Sequence, residues 1–229
     1  MKFTGVFLLF GMLFYTSVSF GQMQLNQMDT EGKPHGIWKK YYDNSKQLRY
    51  EGRFEHGKEV GEFKFYCEDC KENPVAIKIF NENNDISDVK YFNKGKIVSE
   101  GKMDGKDRIG EWITYHKDGK TPMVRETFKE GKLDGKKIIY YPNGQITEEQ
   151  TYKMGIKEGE NLYYSPDGIV IKKLFYKDNM LDGKVFYYDG YGNLVIEGGY
   201  KADAKNGLWK YYKDGKEVME ESFPKKNRE

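Results

Sequence analysis

Apolar and polar residues alternate along short segments of this chain, and turn sequences separate the segments. Residues 207–216 show the arrangement: a glycine, then Leu, Trp and Tyr interleaved with Lys, then Asp-Gly-Lys. Alternation with period two predicts a β-strand, and Asp-Gly predicts a tight hairpin turn. Near copies stand at 36–42 and 110–120, so the alternation belongs to an internal repeat.

Eight units follow one another, each 24 or 25 residues after the last. Their opening residues are Gly36, Gly61, Ile86, Gly110, Gly135, Gly159, Gly183 and Gly207. Each unit has a first strand, a turn, a second strand ending in an aromatic residue, and a second turn. The pattern therefore predicts an all-β fold, an elongated antiparallel meander of about eight two-stranded repeats forming a twisted single-layer ribbon.

The turn inside each unit is predicted to be a tight hairpin. The residue pairs that accept positive φ are Asp118-Gly119, Asn143-Gly144, Asp167-Gly168 and Asp214-Gly215. The third unit is irregular, because it opens on Ile86 and has Lys102 where other second strands end in an aromatic residue.

Two positions of the unit separate a structural role from a binding role. Five residues after each opening residue stands a tyrosine, predicted to form one structural row that packs between repeats: Tyr41, Tyr66, Tyr91, Tyr115, Tyr140, Tyr164, Tyr188 and Tyr212. Two residues after each opening residue, the side chain varies from unit to unit. This variation favours a role in partner recognition. The candidate binding residues there are Trp38, Phe63, Trp112 and Trp209. We expect replacement of Tyr212 to lower stability and replacement of Trp209 mainly to affect binding.

Composition narrows the classes of function. The 229 residues include 38 Lys and Arg against 36 Asp and Glu, a net charge of +2, which favours neither nucleic acid nor strong binding to an anionic membrane. Aromatic residues make up 16% of a chain whose mean hydropathy is −0.85, so they must supply most of the buried area.

Residues 1–21 differ from the rest of the chain. Lys2 is their only charge, and an apolar run leads to Ser19-Phe20-Gly21, a pattern typical of a cleaved signal peptide. An uncleaved membrane anchor is the alternative. The predicted organisation is a signal peptide at 1–21, a linker at 22–31, repeats at 32–221 and a tail at 222–229. We expect the mature protein in the periplasm, on the outer surface or secreted.

Candidate chemistry is sparse. Cys67 and Cys70 fall at a hairpin tip, and in an exported protein a disulfide is the favoured interpretation. A zinc site, a thioredoxin-like pair and two free thiols are the alternatives, although zinc needs about four ligands. His35, His56 and His116 share no phase of the repeat and are predicted to be surface residues. No catalytic residue, metal or cofactor is predicted.

The segment 51–66, with Phe54, Gly57, Gly61 and Phe63 at its repeat positions, resembles the MORN repeat in the variant found in bacterial proteins. The likeness extends from about residue 32 to 216. It implies an extended sheet used for binding or assembly, and it supplies no catalytic residues. The family is often labelled an antitoxin component, which a signal peptide does not fit. The expected function is non-enzymatic binding of a protein, with an envelope glycan or a lipid as alternative ligands.

Overall fold

The structure is a computed structural model that describes residues 24–69 and 73–225. These residues form a 19-stranded antiparallel sheet and, within the same ranges, no helix. The predicted signal peptide and Cys70 lie outside the described residues. The strands are β1 (Gln27–Met28), β2 (Pro34–Tyr41), β3 (Leu48–Glu55), β4 (Lys58–Phe65), β5 (Ala76–Phe80), β6 (Ile86–Asn93), β7 (Lys96–Asp104), β8 (Asp107–Tyr115), β9 (Pro122–Lys129), β10 (Lys132–Tyr140), β11 (Ile146–Lys153), β12 (Ile156–Tyr164), β13 (Val170–Lys177), β14 (Met180–Leu181), β15 (Gly183–Tyr188), β16 (Leu194–Lys201), β17 (Ala204–Lys205), β18 (Gly207–Lys213) and β19 (Lys216–Phe223).

The strands pair in chain order, so the sheet is a meander. β14 and β15 both pair with β13, and β17 and β18 both pair with β16, because a bulge interrupts the strand between them. The predicted all-β meander of hairpin repeats is confirmed. β1 lies in the segment predicted to be a linker and pairs with the start of β2.

A bulge marks the junction between most units. Where β11 meets β12, Gln150 pairs with Asn161 and Tyr152 with Lys157, so one residue faces three, including Gly159. Gly159 has φ of 80°, a left-handed conformation that costs glycine little. The opening glycine is therefore required by the bulge, and bulges of this kind increase the local twist of a sheet.

The third unit begins one residue later than predicted. Ser87, not Ile86, pairs with Phe80 and Met103, in the way that Gly110 pairs with Phe128 at the end of its hairpin. Ser87 has no positive φ, and β5 and β6 pair without a register shift. Lacking the glycine, this junction lacks the bulge, which displaces the phase of the unit.

This shift places Tyr91 on the opposite face of the sheet from the other seven tyrosines of the predicted row. Tyr91 follows Ser87 by four residues and lies beside Val89, and its ring stacks on Trp112 at 6.3 Å between centroids. The predicted row of eight therefore has seven members.

The turns also differ from the prediction. Two-residue turns with both residues at positive φ lie mainly between units, as at Glu130-Gly131 and Met154-Gly155. Within units, Asp214-Gly215 is such a turn, as predicted. At Gly119 the loop is longer. The His116 backbone carbonyl accepts from the Gly119 N–H, and the His116 backbone N–H donates to the Thr121 carbonyl, at 2.9 Å each.

One face of the sheet carries a continuous row with one residue from each full-length strand, which we call the central row; its face is the inner face, and the opposite one is the outer face. The register of successive strands aligns Trp38, Gly52, Phe63, Lys78, Val89, Gly101, Trp112, Glu126, Lys137, Gln150, Asn161, Leu174, Val185, Gly198, Trp209 and Glu221. Eight of these residues are at most 6% exposed. A sheet one layer thick thus obtains its core along this row.

Large residues of the central row lie on glycines. The ring of Trp209 covers Gly198, where an added Cβ would stand 2.3 Å from ring carbon Cδ2. The rings of Phe63 and Trp112 cover their own glycines in the same way, at 2.4 Å. The two members of each pair stand eleven residues apart, on the last strand of one unit and the first strand of the next.

At other junctions, different residue pairs occupy the same two positions of the central row. Val185 is fully buried beside Leu174, and Lys137 forms an ion pair with Glu126 at 3.0 Å. Gln150 and Asn161 are opposite each other. Each pair combines volumes or charges that fit, so the identity of one member depends on the other.

Neighbouring rows close the core around these pairs. Tyr200 contacts the Trp209 ring edge to face at 5.3 Å, and the Lys205 ammonium lies 4.0 Å from the same ring centroid. Arg108 lies 4.3 Å over Trp112 in the equivalent place. Aromatic residues and cations from the same sheet therefore replace a second layer.

We expect Gly198→Ala to lower the free energy of unfolding by about 1–3 kcal/mol, because the new methyl group overlaps the Trp209 ring. Urea unfolding measures the change. Gly190→Ala is the matched control, since Gly190 has no positive φ and open space at its Cβ position. In a Trp209→Val background the cost of Gly198→Ala should largely disappear; an undiminished cost would contradict the steric explanation.

Candidate binding surface

The predicted binding residues lie in the interior of the structure. Phe63 is 1% exposed, Trp112 and Trp209 are 2% exposed, and Trp38 is half-buried. Phe63, Trp112 and Trp209 are therefore too buried for the partner recognition that was predicted from their variation. Their side chains point to the inner face at the middle of each first strand, and their variation matches the partner eleven residues earlier.

The tryptophans also use their polar groups within the sheet. The indole N–H of Trp209 donates to the Gly199 carbonyl at 3.1 Å, and that of Trp112 donates to the Lys102 carbonyl at 2.9 Å. Trp38 donates to the Gln27 carbonyl at 3.0 Å. The indole has no further donor, so these residues have a packing role.

The burial of Trp209 reverses the expected effects of two substitutions. We expect Trp209→Ala to cost about 3–5 kcal/mol of stability, because it removes a core ring and leaves a cavity. Tyr212→Phe should lower stability far less, because it removes a single hydrogen bond, the one to Glu197. Urea unfolding of both variants compares them, and equal losses would contradict the assignment of Trp209 to the core.

The outer face carries rows of paired charges. Ion pairs between adjacent strands run from the first unit to the last: Lys39–Glu51, Lys90–Glu100, Arg125–Glu111, Lys136–Glu149, Lys173–Glu160 and Lys210–Glu217. Most of these side chains are one-third or more exposed. The outer face is therefore a broad surface of alternating sign.

The seven remaining tyrosines of the predicted row lie on this outer face. Equivalent residues of successive units are two strands apart, about 9.6 Å, which is too far for ring contact. No ring contact joins two of them in the part of the chain that the structure describes. Tyr41 is 46% exposed, and the other six are half-buried.

Several of these tyrosines instead hold a glutamate of the preceding unit. Tyr66 donates to Glu51 at 2.9 Å and Tyr212 to Glu197 at 2.7 Å; Tyr115 donates to Glu100. Each glutamate stands fifteen residues before its tyrosine. Both this spacing of fifteen residues and the spacing of eleven in the central row can be read from the sequence. They pair residues that occupy different positions of successive units, which a comparison of equivalent positions does not reveal.

The hydrogen bonds and partial burial change the acidity of these groups. Burial, followed by the bond to the carboxylate, raises the pKa of Tyr66 and of Tyr115 to about 12. The Lys39 ammonium, bonded to the Glu51 carboxylate, lowers the pKa of that group, and the bond from Tyr115 lowers the pKa of Glu100. The folded protein therefore favours neutral tyrosine beside ionised glutamate.

These tyrosines should make stability depend on alkaline pH. Their folded-state pKa is above the ordinary value of about 10, so their contribution is complete below pH 10 and is lost as pH rises through 12. We expect the double variant Tyr66→Phe, Tyr115→Phe to lose less stability between pH 10 and 12 than the wild type. Thermal unfolding followed by circular dichroism measures this.

Tyr191→Phe is the control for that comparison, because Tyr191 is 90% exposed. Lysines titrate in the same range but are common to all three proteins. An identical pH dependence of the double variant and the wild type would show that the two tyrosines keep their ordinary acidity.

Side chains at the hairpin tips link successive units through backbone carbonyls. Tyr42 donates to the Tyr66 carbonyl at 2.9 Å, and Tyr141 donates to the Tyr164 carbonyl at 3.0 Å. His116 approaches the Tyr140 carbonyl at 3.2 Å. Cys67 holds the same place in its unit; its disulfide with Cys70 stays a prediction.

The histidines do not form a common site. The rings of His35 and His56 are 4.9 Å apart, and His56 Nδ1 lies 2.7 Å from Asp29 Oδ2, whereas His116 belongs to a hairpin tip of the fourth unit. No group of three or more His, Cys, Asp or Glu side chains in the described ranges could hold a metal ion.

Comparison with known families agrees with this architecture. The family model described as MORN repeat variant matches residues 133–154 and 157–178. Each match overlaps one of two successive units, those that open at Gly135 and Gly159. The chain carries repeats of the MORN variant family at these residues. The predicted family resemblance is confirmed, and repeats of this family form scaffolds that often bind proteins or lipids. No curated protein matches the chain. In the described part of the chain, no helix has the length and apolar character that crossing a membrane requires.

Proposed function

We propose that this protein is an exported, non-enzymatic MORN-repeat scaffold that binds another protein through the outer face of its sheet. The observation that carries the proposal is the series of ion pairs across that face, from Lys39–Glu51 to Lys210–Glu217, which we call the charge ladder. Export rests on the signal-peptide pattern of residues 1–21.

Energetics support a binding role for the charge ladder. Exposed ion pairs contribute only about 0–1 kcal/mol each to stability, so the fold depends on the central row far more than on these charges. A surface with alternating sign can complement the charges of a protein partner, which gives specificity and fast association. Half-buried tyrosines beside the charge ladder add contact area with a polar tip.

The alternative ligands have less support. Stacking on a glycan needs exposed aromatic rings, but the three tryptophans are core or half-buried residues. A lipid surface attracts clusters of basic residues, whereas the lysines of this face alternate with glutamates and the net charge is +2. A protein partner is therefore the best match to the chemistry of the outer face.

A photo-crosslinking amino acid at Lys64 or Lys90, tested in cells that naturally express the protein, tests the binding face. Both side chains are exposed on the outer face. We expect a discrete protein adduct from these two positions and none from Tyr191, an exposed position at a hairpin tip. Adducts from Tyr191 alone would move the binding site away from the face.

Two further results would contradict parts of the proposal. Sedimentation of the purified protein with peptidoglycan, without any protein adduct, would favour the glycan alternative. The amino terminus of the protein recovered from the same cells tests export, because cleavage after Gly21 leaves Gln22 first. An intact Met1 would contradict removal of a signal peptide.

A further inference from the structure

The two ends of the sheet are finished differently. At the first end, residues before β2 cover its edge: Asn26 donates its backbone N–H to the Ile37 carbonyl, and its side-chain oxygen accepts from the Lys39 N–H, at 2.8 Å each. Gln27 then pairs with His35. At the last end, β19 pairs with β18, and no described strand pairs with its other side.

Among the described residues, no strand pairs with the outward edge of β19, which is eight residues long. Val218 is 61% exposed and Met219 is 49% exposed. An edge strand presents unpaired N–H and C=O groups, which can add an extended segment by main-chain hydrogen bonds. The side chains along the edge then determine which segment fits.

Two acids on β19 belong to rows that run across the sheet. Equivalent residues in other units show which side chains would lie opposite these acids on an added strand. Glu221 continues the central row, in the place where Glu126 forms its ion pair with Lys137 at 3.0 Å. Glu220 continues the outer row, in which Glu197 is opposite Lys210 on the next strand. In each comparison, a lysine on the next strand lies opposite the acid.

The residue next to these acids adds a third element. Met219 continues the inner-face row in which Ile196 is opposite Tyr211 and Glu148 is opposite Tyr163. An antiparallel strand beside β19 would therefore place a basic residue opposite Glu221, a second opposite Glu220 and an aromatic residue opposite Met219, in that chain order.

We propose that β19 binds an extended segment of another protein that carries two adjacent basic residues followed by an aromatic residue. The segment adds to the sheet as an antiparallel strand. A second copy of β19 is a poor occupant, because Glu217, Glu220 and Glu221 of both strands would be brought together. This site lies at the edge of the sheet, where strand addition occurs, and it does not depend on the partner proposed for the outer face.

Binding of a synthetic peptide to the purified mature protein, residues 22–229, tests the site. The probe is fluorescein-labelled Gly-Thr-Lys-Lys-Tyr-Thr-Val, and its control is Gly-Thr-Glu-Glu-Tyr-Thr-Val. Fluorescence anisotropy should detect binding of the lysine peptide, with the glutamate peptide at least about tenfold weaker. Equal affinity for both peptides would overturn the proposed recognition by Glu220 and Glu221.

Charge reversal keeps the test sharp. The variant Glu220→Lys, Glu221→Lys should exchange the preference and bind the glutamate peptide better, which a misfolded protein could not do. Asp43→Lys, Glu82→Lys is the matched control at exposed positions in distant loops and should keep the original preference. A loss of preference in this control would indicate a general charge effect and contradict a site at β19.

Backbone methylation distinguishes strand addition from a side-chain contact. Every second amide of an added strand points to its neighbour, so methylation of one alternating set of peptide amides should abolish binding while methylation of the other set is tolerated. If both sets are tolerated, the peptide is not an added strand. Sedimentation velocity completes the test: a dimer of the mature protein that Val218→Pro dissociates would assign the edge to a second copy and overturn the proposal.

Discussion

The structure depends on how two side chains of the central row fit together at each junction between units, and at three junctions an aromatic ring covers a glycine. A single sheet has no second layer to cover its apolar face, so each buried ring needs space within the sheet itself. Gly198 provides that space beneath Trp209 because it has no side chain, and Tyr200 and Lys205 then close the sides of the ring. Ring-over-glycine pairs at three junctions and other matched pairs at the rest produce a continuous core along the central row.

The same constraint explains why the central row tolerates so much variation. Trp209, Val185 and Lys137 occupy equivalent places although they differ in volume and charge. Each is matched by its partner eleven residues earlier, so the conserved quantity is the fit of the pair. Variation at one position of a repeat can thus record packing between neighbours, and it does not by itself mark a binding site.

The two faces of the sheet differ in the residues they carry. The inner face uses its aromatic residues to hold successive hairpins together, leaving the outer face to lysine, glutamate and tyrosine. Tyr66 and Tyr115 contribute to the fold through the carboxylates they hold, and their raised pKa records that contact. The charged outer face and the edge of β19 are the surfaces to which we assign partners by proposal.

Local patterns in the sequence were sufficient to predict the eight repeats, the hairpins, the meander and the repeat family. Period-two alternation and glycine turns act over a few residues, so they are visible without a structure. The burial of Trp209 and the outward position of Tyr212 were not predictable in this way, because both faces of the strand carry aromatic and charged residues. Only pairing with residues eleven and fifteen positions earlier decides which face becomes the core. The displaced phase of Ser87 likewise follows from a missing bulge, which exists only once two strands are paired.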